Sequence, residues 1–458
     1  MNGLFAHLAV GGGWDTTLQV VNATSTLAGA SVGIEPPGGI QASPSTIPLF
    51  SLEQNQYVGG YLGNTFTVSN IMGPHSLNTL LASETGSAAT TVASATLQYD
   101  PGVGGFVRFR YIPNGQEAMV PLETRQAKTF TVAFDNTNGF TSGIALTGGT
   151  FNAIPNFAAA VSITIRDNTG KLIDSGTTTV GPGTHDSYAL TDRYPSTIGQ
   201  SGTIQFATTT AGQISVIGLR FPPSLRFSTI PPATEIDPGS GRMPQLAVGG
   251  GWTSTVEMIN TTAATASAQL SFFNSSGSPL TLPLSFNGTT TTSSQLQQSL
   301  APYARLVVNI TGPGSGDLQF GSARFTSTAG VSGFIRYSYG ALGQDVIVPL
   351  ETRNAANYVV AFDNTNGAST GIALANSAGV TANIPITVYD PFGNQIAADA
   401  ITLPPQGQTS YVLTDRVASA LNSRGSVQFT TPVGGSISVL GIRYPISGAF
   451  TSIPVIAP

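Results

Sequence analysis

The sequence predicts an all-β protein built from four consecutive antiparallel β-sandwich repeats. Three features predict this fold class: a motif spacing that recurs four times, a two-residue alternation of apolar and polar side chains, and an almost complete lack of helical pattern. The alternation is clearest in VSITIRD at 161–167 and IPITVYD at 384–390, which are typical of half-buried strands. The chain has 458 residues, and a quarter of it suits a sandwich of roughly 100 residues with its own core.

The recurring spacing is an aromatic residue followed ten positions later by proline. The four pairs are Tyr111 and Pro121, Phe221 and Pro231, Tyr339 and Pro349, and Tyr444 and Pro454. An earlier proline precedes the aromatic residue by 37 positions in copies one and three (Pro74, Pro302) and by 39 positions in copies two and four (Pro182, Pro405). The order is therefore A-B-A-B, which indicates a duplicated pair of domains.

Residue identities support the duplication. Nineteen of 27 positions are identical between residues 120–146 and 348–374, and LAVGGGW at 8–14 returns at 246–252. A fainter likeness of A to B indicates an older duplication. The predicted domains are A1 at 1–126, B1 at 127–233, A2 at 246–354 and B2 at 355–458, with a Pro- and Gly-rich linker at 234–245.

Strands and turns follow in order along each repeat. GFVRFRY (105–111) and GFIRYSY (333–339) close the A repeats, and QISVIGLRF (213–221) and SISVLGIRY (436–444) close the B repeats. DNTGK (167–171) and DPFGN (390–394) have the residues of hairpin turns. Residues 36–63 and 288–296 are expected to be surface loops.

Helical pattern is confined to three short segments. In 413–425, Thr414 or Asp415 could cap a short helix, while Pro195 limits any helix in 190–199 to about one turn. The segment 75–83, HSLNTLLAS, is a weaker candidate.

Composition excludes several classes of function. Charged residues make up 9% of the chain, with lysine only at Lys128 and Lys171, and the net charge of −5 shows no basic patch for nucleic acid. Cysteine is absent, which excludes disulfides and thiol catalysis. No apolar run is long enough to span a membrane, and no signal peptide is visible, so a secretion signal would lie outside this numbering.

The ordered set GGGW-x-T, a D-x-x-G hairpin, a Pro-Gly turn, LTDR, S-V-x-G-[LI]-R-[FY] and F-[ST]-[ST]-I-P resembles the tandem immunoglobulin-like repeats of secreted bacterial surface proteins. The resemblance covers nearly the whole chain. It implies a bacterial extracellular location and an immunoglobulin-like sandwich in each repeat, and it implies no substrate.

Motifs that suggest catalysis have simpler interpretations. G-x-S-x-G occurs around Ser31 and Ser369, but neither copy is followed by the helix that a nucleophile elbow requires. His7, His75 and His185 do not recur in the other half and lack metal-ligand spacing, so we expect surface or incidental positions.

Two acidic motifs recur in both halves. DNTNG at 135–139 and 363–367 could be a calcium loop, but it lacks the later acidic ligand, so a turn is favoured. Four carboxylate–arginine pairs could suggest glycoside chemistry, but repetition favours ion pairs or caps that fix domain orientation. They are Glu123/Arg125, Glu351/Arg353, Asp192/Arg193 and Asp415/Arg416.

Trp14 and Trp252 occupy equivalent A positions, where the B repeats have Phe140 and Ala368. An exposed tryptophan could stack on sugar rings, but a position that accepts all three residue types favours packing in a core or at a domain edge.

The sequence thus predicts a non-enzymatic chain with no catalytic, cofactor-binding or metal-binding residues. We expect an extracellular structural protein that self-associates into a filament, tube or sheath, because few charges protect its strand edges. Its partners would be other copies of itself, with no nucleic acid. An adhesin or glycan-binding module that uses loops such as 36–63 is the alternative, and an enzyme is the weakest hypothesis.

Overall fold

The computed structural model describes residues 1–35, 47–62, 65–82, 89–149, 158–224, 226–312, 316–328 and 330–458. It confirms the all-β prediction, with antiparallel ladders throughout these ranges. In the described residues, ladders join strands only within four consecutive groups, which we call quarters one to four.

Quarter one contains β1 (Asn2–Gly11), β2 (Trp14–Asn22), β3 (Ala28–Glu35), β4 (Leu49–Ser51), β5 (Gln56–Val58), β6 (Gly60–Leu62), β7 (Thr65–Met72), β8 (Leu77–Ala82), β9 (Thr90–Tyr99), β10 (Val103–Tyr111) and β11 (Gln116–Pro121). Quarter two contains β12 (Thr129–Asp135), β13 (Thr141–Gly148), β14 (Ala159–Asp167), β15 (Leu172–Val180), β16 (His185–Ala189), α1 (Leu190–Arg193), β17 (Ser201–Ala207), β18 (Ile214–Phe221), β19 (Ser228–Ile230) and β20 (Ala233–Thr234).

Quarter three contains β21 (Ser240–Val248), β22 (Trp252–Asn260), β23 (Ala266–Asn274), β24 (Leu282–Phe286), β25 (Thr289–Ser293), β26 (Gln295–Leu300), β27 (Arg305–Ile310), β28 (Gln319–Ser327), β29 (Val331–Tyr339) and β30 (Gln344–Pro349). Quarter four contains β31 (Asn357–Asp363), β32 (Ser369–Asn376), β33 (Ala382–Tyr389), β34 (Gln395–Leu403), β35 (Gln408–Val412), α2 (Leu413–Arg416), β36 (Arg424–Thr430), β37 (Ile437–Tyr444) and β38 (Thr451–Ile453). Short 3-10 turns occupy Pro195–Thr197, Gly340–Leu342 and Ala418–Ala420.

Two strand orders recur in every quarter. The first sheet runs β1-β9-β3-β7, then β12-β17-β14-β15, β21-β28-β23-β26 and β31-β36-β33-β34 in the successive quarters. The second sheet runs β8-β2-β10-β11, β16-β13-β18-β19, β27-β22-β29-β30 and β35-β32-β37-β38. In quarter one the two sheets are joined through the Gly11–Trp14 pair.

Apolar side chains from both sheets meet in each quarter. In quarter two, for example, Phe130 and Phe206 of the first sheet share a cluster with Ile144 and Val216 of the second. Fully burying one such phenylalanine stabilises the fold by roughly 1.5–3 kcal/mol. Strand alternation therefore supplies a core between the sheets of every quarter.

The four quarters close into a ring. The last strand of each second sheet, namely β11, β19, β30 and β38, contacts both of its neighbours in this set, so the set forms a closed cycle. The four prolines of the recurring spacing, Pro121, Pro231, Pro349 and Pro454, line one cavity of about 80 Å³ where these strands meet. The apolar cluster of quarter four also includes Phe106 and Met119 of quarter one.

Three predicted local structures are wrong. The helix candidate at 75–83 contains strand β8, whose backbone pairs with β2 and β4. Its Leu80 and Ala82 are buried in the core of quarter one, and Leu77 on the opposite face is buried in the cluster shared with quarter four. Residue 83 lies outside the described residues. The predicted loop at 288–296 forms β25 and the start of β26, consistent with the strand preference of threonine. In the predicted loop 36–63, the described residues form β4, β5 and β6, and 36–46 and 63 lie outside the described residues.

The helices are single turns. α1 ends before Pro195, as predicted, and α2 spans only four residues. Val412 is the N-cap of α2, and no side chain caps it, so neither Thr414 nor Asp415 has the predicted capping role. The second half of the predicted linker 234–245 belongs to β21, where Arg242 bonds Glu351 through the backbone and Met243 is buried.

No helix within the described residues has the length and apolar character needed to cross a membrane.

Candidate functional site: the joints between quarters

A proline turn reaches the preceding quarter at each joint. The residue three positions after the proline carries the contact, and this proline-plus-three position is occupied by Leu77, His185, Arg305 and Gln408. Backbone N–H groups donate across three joints: Leu77 to Pro391 O (2.9 Å), Arg305 to Asn168 O (3.0 Å) and Gln408 to Ser275 O (3.1 Å). The joint from quarter four to quarter one is therefore built like the others.

Three of these turns, at Pro74, Pro302 and Pro405, pack on a hairpin glycine of the preceding quarter. Gly170, Gly277 and Gly393 have positive φ of 84–87°. A Cβ on Gly277 would lie 1.9 Å from Pro405 O, and one on Gly393 would lie 1.9 Å from Pro74 O. Glycine is required at these hairpins because both the backbone conformation and the neighbouring carbonyl exclude a side chain.

Two histidines meet in the joint between quarters one and two. His7 Nδ1 lies 3.2 Å from His185 Nε2, and the side chains are only 6% and 9% exposed. The expectation of surface positions is wrong for both, because β1 and β16 turn them into the joint. Burial lowers the pKa of His7 to about 3, helped by the neighbouring His185, and burial lowers the pKa of His185 to about 4. Both rings are therefore neutral at pH 7.

The second A-B joint replaces this pair by two glutamines. Gln245 and Gln408 stand where His7 and His185 stand in the first half, and Gln408 Nε2 donates to Gln245 Oε1 over 2.8 Å. The joint between quarters two and three instead uses Arg305, whose Nη1 donates to Phe134 O over 2.8 Å while Glu257 neutralises its charge. Residues at the proline-plus-three position thus make three different polar contacts: a histidine pair, a glutamine pair, and an arginine bonded to a backbone oxygen.

Buried arginines link each B quarter to the following A quarter. Arg220 Nε donates to Asp345 Oδ2 of quarter three over 2.9 Å, and Arg443 Nε donates to Glu117 Oε2 of quarter one over 2.9 Å. Each arginine also bonds the DNTNG turn of its own quarter, at Asp135 and at the backbone oxygen of Asp363. Removing one partner would leave a buried charge uncompensated.

These contacts control the ionisation of the two DNTNG aspartates. Burial raises the pKa of Asp135, but hydrogen bonds from Thr137 and the charge of Arg220 outweigh burial and hold the pKa below its usual value. The pKa of Asp363 is lowered against burial mainly by Arg443 and Thr365. Both carboxylates stay charged at neutral pH.

The two tryptophans pack on neighbouring quarters. Trp14 contacts Tyr111 of its own quarter and Phe227 of quarter two, at ring-centre distances of 4.9 and 5.2 Å. Trp252 makes the equivalent contacts with Tyr339 and Phe450, at 4.8 and 5.1 Å. This geometry matches the packing interpretation. At the equivalent B positions, Phe140 lies under Arg220 and Ala368 is buried.

The carboxylate–arginine pairs divide into two kinds. Arg125 pairs with Glu123 at 2.6 Å and with Asp237 of the predicted linker at 2.9 Å, and Arg353 pairs with Glu351 at 2.6 Å. The predicted partners of the other two arginines are wrong, because Arg193 reaches Asp186 and Arg416 reaches Asp399 instead of the adjacent Asp192 and Asp415. Those pairs stay within one quarter.

The DNTNG segments form turns. Asp135 Oδ1 accepts the backbone N–H and hydroxyl of Thr137, and Asp363 does the same with Thr365. Within the described ranges, no three His, Cys, Asp or Glu side chains are grouped to hold a metal ion.

The serines of the G-x-S-x-G motifs lie in strands. Ser31 is in β3 and shares a 2.9 Å hydrogen bond with Ser69, and Ser369 begins β32. Neither serine occupies a strand-turn-helix elbow.

A cavity of about 370 Å³ with mainly apolar walls lies where quarters one, two and three meet. The two connector pairs Glu123/Arg125 and Glu351/Arg353 line it together with Asp237. Arg125, of the connector between quarters one and two, pairs with Asp237 of the connector between quarters two and three, so this ion pair links two connectors.

Sequence reasoning missed the joint residues as a set. Their only signal was the offset of three from each earlier proline, together with a histidine inside the apolar strand LFAHLAV. No protein-family model matches this chain, and no curated protein matches it.

Proposed function

We propose that this chain is a non-catalytic extracellular structural protein that self-associates into a surface filament, tube or sheath. We interpret its quarters as four immunoglobulin-like antiparallel sandwiches in a duplicated A-B pair. The recurrence of both strand orders supports that interpretation. The ring also supports a structural role, because the contacts that repeat along the chain are joints rather than a single asymmetric cluster of reactive groups.

The observation that carries self-association is the outer edge of the first sheets. β15, β26 and β34 each pair on one side only in the described residues. β26 has no charged residue, and Asp174 and Asp399 are the only charges in β15 and β34. Monomeric proteins usually blunt such edges with lysine or other charges, because unpaired N–H and C=O groups bind further strands.

The test places lysines on one edge. Thr177 and Thr179 are exposed on β15, and Ser162 and Ala160 are their exposed partners on the inner strand β14. The edge variant Thr177→Lys/Thr179→Lys should reduce polymer in light scattering and negative-stain microscopy, whereas Ala160→Lys/Ser162→Lys adds the same charge without blocking an edge. Equal loss in both variants, or a strictly monomeric wild type at high concentration, would contradict the proposal.

Glycan binding is a second candidate, supported by a polar pocket in quarter one. It has a volume of about 340 Å³ and is lined by hydroxyl and amide side chains such as Gln54, Gln56, Asn70 and Asn78, beside Tyr57. Tyr57 is 71% exposed, and a ring flanked by neutral hydrogen-bonding groups suits a sugar. Glycan-array binding that Tyr57→Ala removes at unchanged melting temperature would favour the adhesin, and unaltered array binding would exclude this pocket.

A further inference from the structure

We propose that the joint between quarters four and one is a reversible seam, through which the ring opens and quarter four of one copy docks on quarter one of a second copy. This inference rests on the proposed self-association and adds a second contact between copies to the strand edges. The seam comprises the Arg443–Glu117 ion pair, the Gly393 hairpin on the Pro74 turn, and Ile456 against Gly104.

The seam differs from the other joints in connectivity. The chain passes directly from β11 to β12, from β20 to β21 and from β30 to β31, which are its crossings between successive quarters. No backbone crosses from quarter four to quarter one. This joint is therefore held by non-covalent contacts alone.

A second copy presents the same seam surfaces. The contacts at the seam match those of the tethered joint between quarters two and three: Arg443 with Glu117 corresponds to Arg220 with Asp345, and the two acceptors stand in the equivalent segments QEAMVP and QDVIVP. Exchange between copies would recreate every seam contact without a new interface, which is the condition for low-cost domain swapping.

Concentration decides between the closed and exchanged forms. Within one chain, the seam surfaces of quarters four and one have an effective concentration for each other, which is typically about millimolar for short flexible tethers. Opening would expose Phe106 and Met119 of quarter one and Ile453 of quarter four, all buried in a shared cluster. An open single copy is therefore unfavourable, and an opened ring should capture another copy at high protein concentration.

A disulfide across the seam tests this directly. A Cβ on Gly104 would lie 3.6 Å from Ile456 Cβ, within the roughly 3.5–4.5 Å that a disulfide needs. The chain has no cysteine, so Gly104→Cys/Ile456→Cys introduces the only possible bridge. Oxidised protein should show at least ten-fold less of the exchanged double-mass species in size exclusion coupled to light scattering, and reduction should restore it.

The outcomes separate the two proposals. Assembly of the oxidised protein at the wild-type level would overturn the seam while leaving self-association by strand edges intact. If neither the wild type nor the reduced variant assembles at high concentration, self-association itself fails.

Charge reversal supplies an independent test that does not depend on disulfide formation. Arg443→Glu and Glu117→Arg each place two like charges across the seam within their own copy. In an equimolar mixture, exchange between the two variants pairs the introduced glutamate with the introduced arginine at one seam and pairs Arg443 with Glu117 at the other. Light scattering coupled to size exclusion should show at least ten-fold more double-mass species in the mixture than in either variant. The matched mixture of Arg220→Glu and Asp345→Arg should show no such gain, because that joint is tethered. Gain in both mixtures, or in neither, would overturn the seam.

Discussion

His7 and His185 show how one joint can acquire a property that its duplicate lacks. Both rings are buried and neutral at the first A-B joint, and glutamines make the corresponding contact at the second. A glutamine pair does not titrate, whereas a buried histidine pair penalises protonation. The two halves of the ring should therefore differ in their response to acid.

The sign follows from the lowered pKa values. Because the folded pKa values of about 3 and about 4 lie below the ordinary histidine pKa of 6.5, stability is fully present above pH 6.5 and is lost as the pH falls toward 4. Each histidine should contribute a loss of about 1.4 kcal/mol per pH unit within that window. Thermal unfolding at pH 7, 6 and 5 should show a smaller loss of melting temperature for His7→Gln/His185→Gln than for the wild type.

The comparison separates this pair from other titrating groups. Asp186, which raises the pKa of His185, and the remaining carboxylates are present in both proteins. Parallel pH profiles for wild type and variant would show that the pair carries no proton-linked stability.

Among the elements, a hairpin and a proline turn form one unit across three of the joints. Gly393 lies at φ 87° against the Pro74 carbonyl, whereas Gly434 of the same quarter has φ 72° and open space around it. The two glycines share the same backbone strain and differ in their neighbours. Comparing the same substitution at the two glycines therefore measures the contribution of the joint contact to stability.

Gly393→Ala should destabilise the protein more than Gly434→Ala. Both variants incur the left-handed backbone cost of about 1–2 kcal/mol, and only Gly393→Ala adds a clash, worth roughly another 1–3 kcal/mol. Chemical denaturation of the two variants gives the difference. Equal losses of unfolding free energy in the two variants would mean that the hairpin shifts to accept the new methyl group without disturbing the seam.

Much of each element was predictable from the sequence, because strand alternation and turn residues are local signals. The packing position of the tryptophans also followed from comparing four equivalent positions. The joint residues did not, since Arg443 and Glu117 lie 326 positions apart. Segment 75–83 was misread for the same reason: its pairing with β2 and β4 outweighs its local pattern.

For the whole molecule, ring closure makes the joint between quarters four and one equivalent to the joint between quarters two and three. The chain ends support this view. Met1 N donates to Tyr99 O over 2.6 Å, and Pro458 lies beside Gly102, with its Cβ 3.8 Å from a Cβ built there. Both ends therefore meet the same turn of quarter one.

A circular permutant should fold to the same ring. By alignment of the repeats, residues 236–238 occupy the position equivalent to the gap between Pro458 and Met1. Joining Pro458 to Met1 with a copy of those three residues, and opening the chain between Asp237 and Pro238, moves the untethered joint to quarters two and three. Because the two joints are built alike, the permutant should be monomeric when dilute and should have the same circular dichroism spectrum as the wild type. Its free energy of unfolding should lie within about 2 kcal/mol of the wild-type value, since the cut disturbs the contact of Asp237 with Arg125. Size exclusion with light scattering and urea denaturation would measure both. An unfolded or aggregated permutant would show that the four joints are not interchangeable and that closure depends on the original chain order.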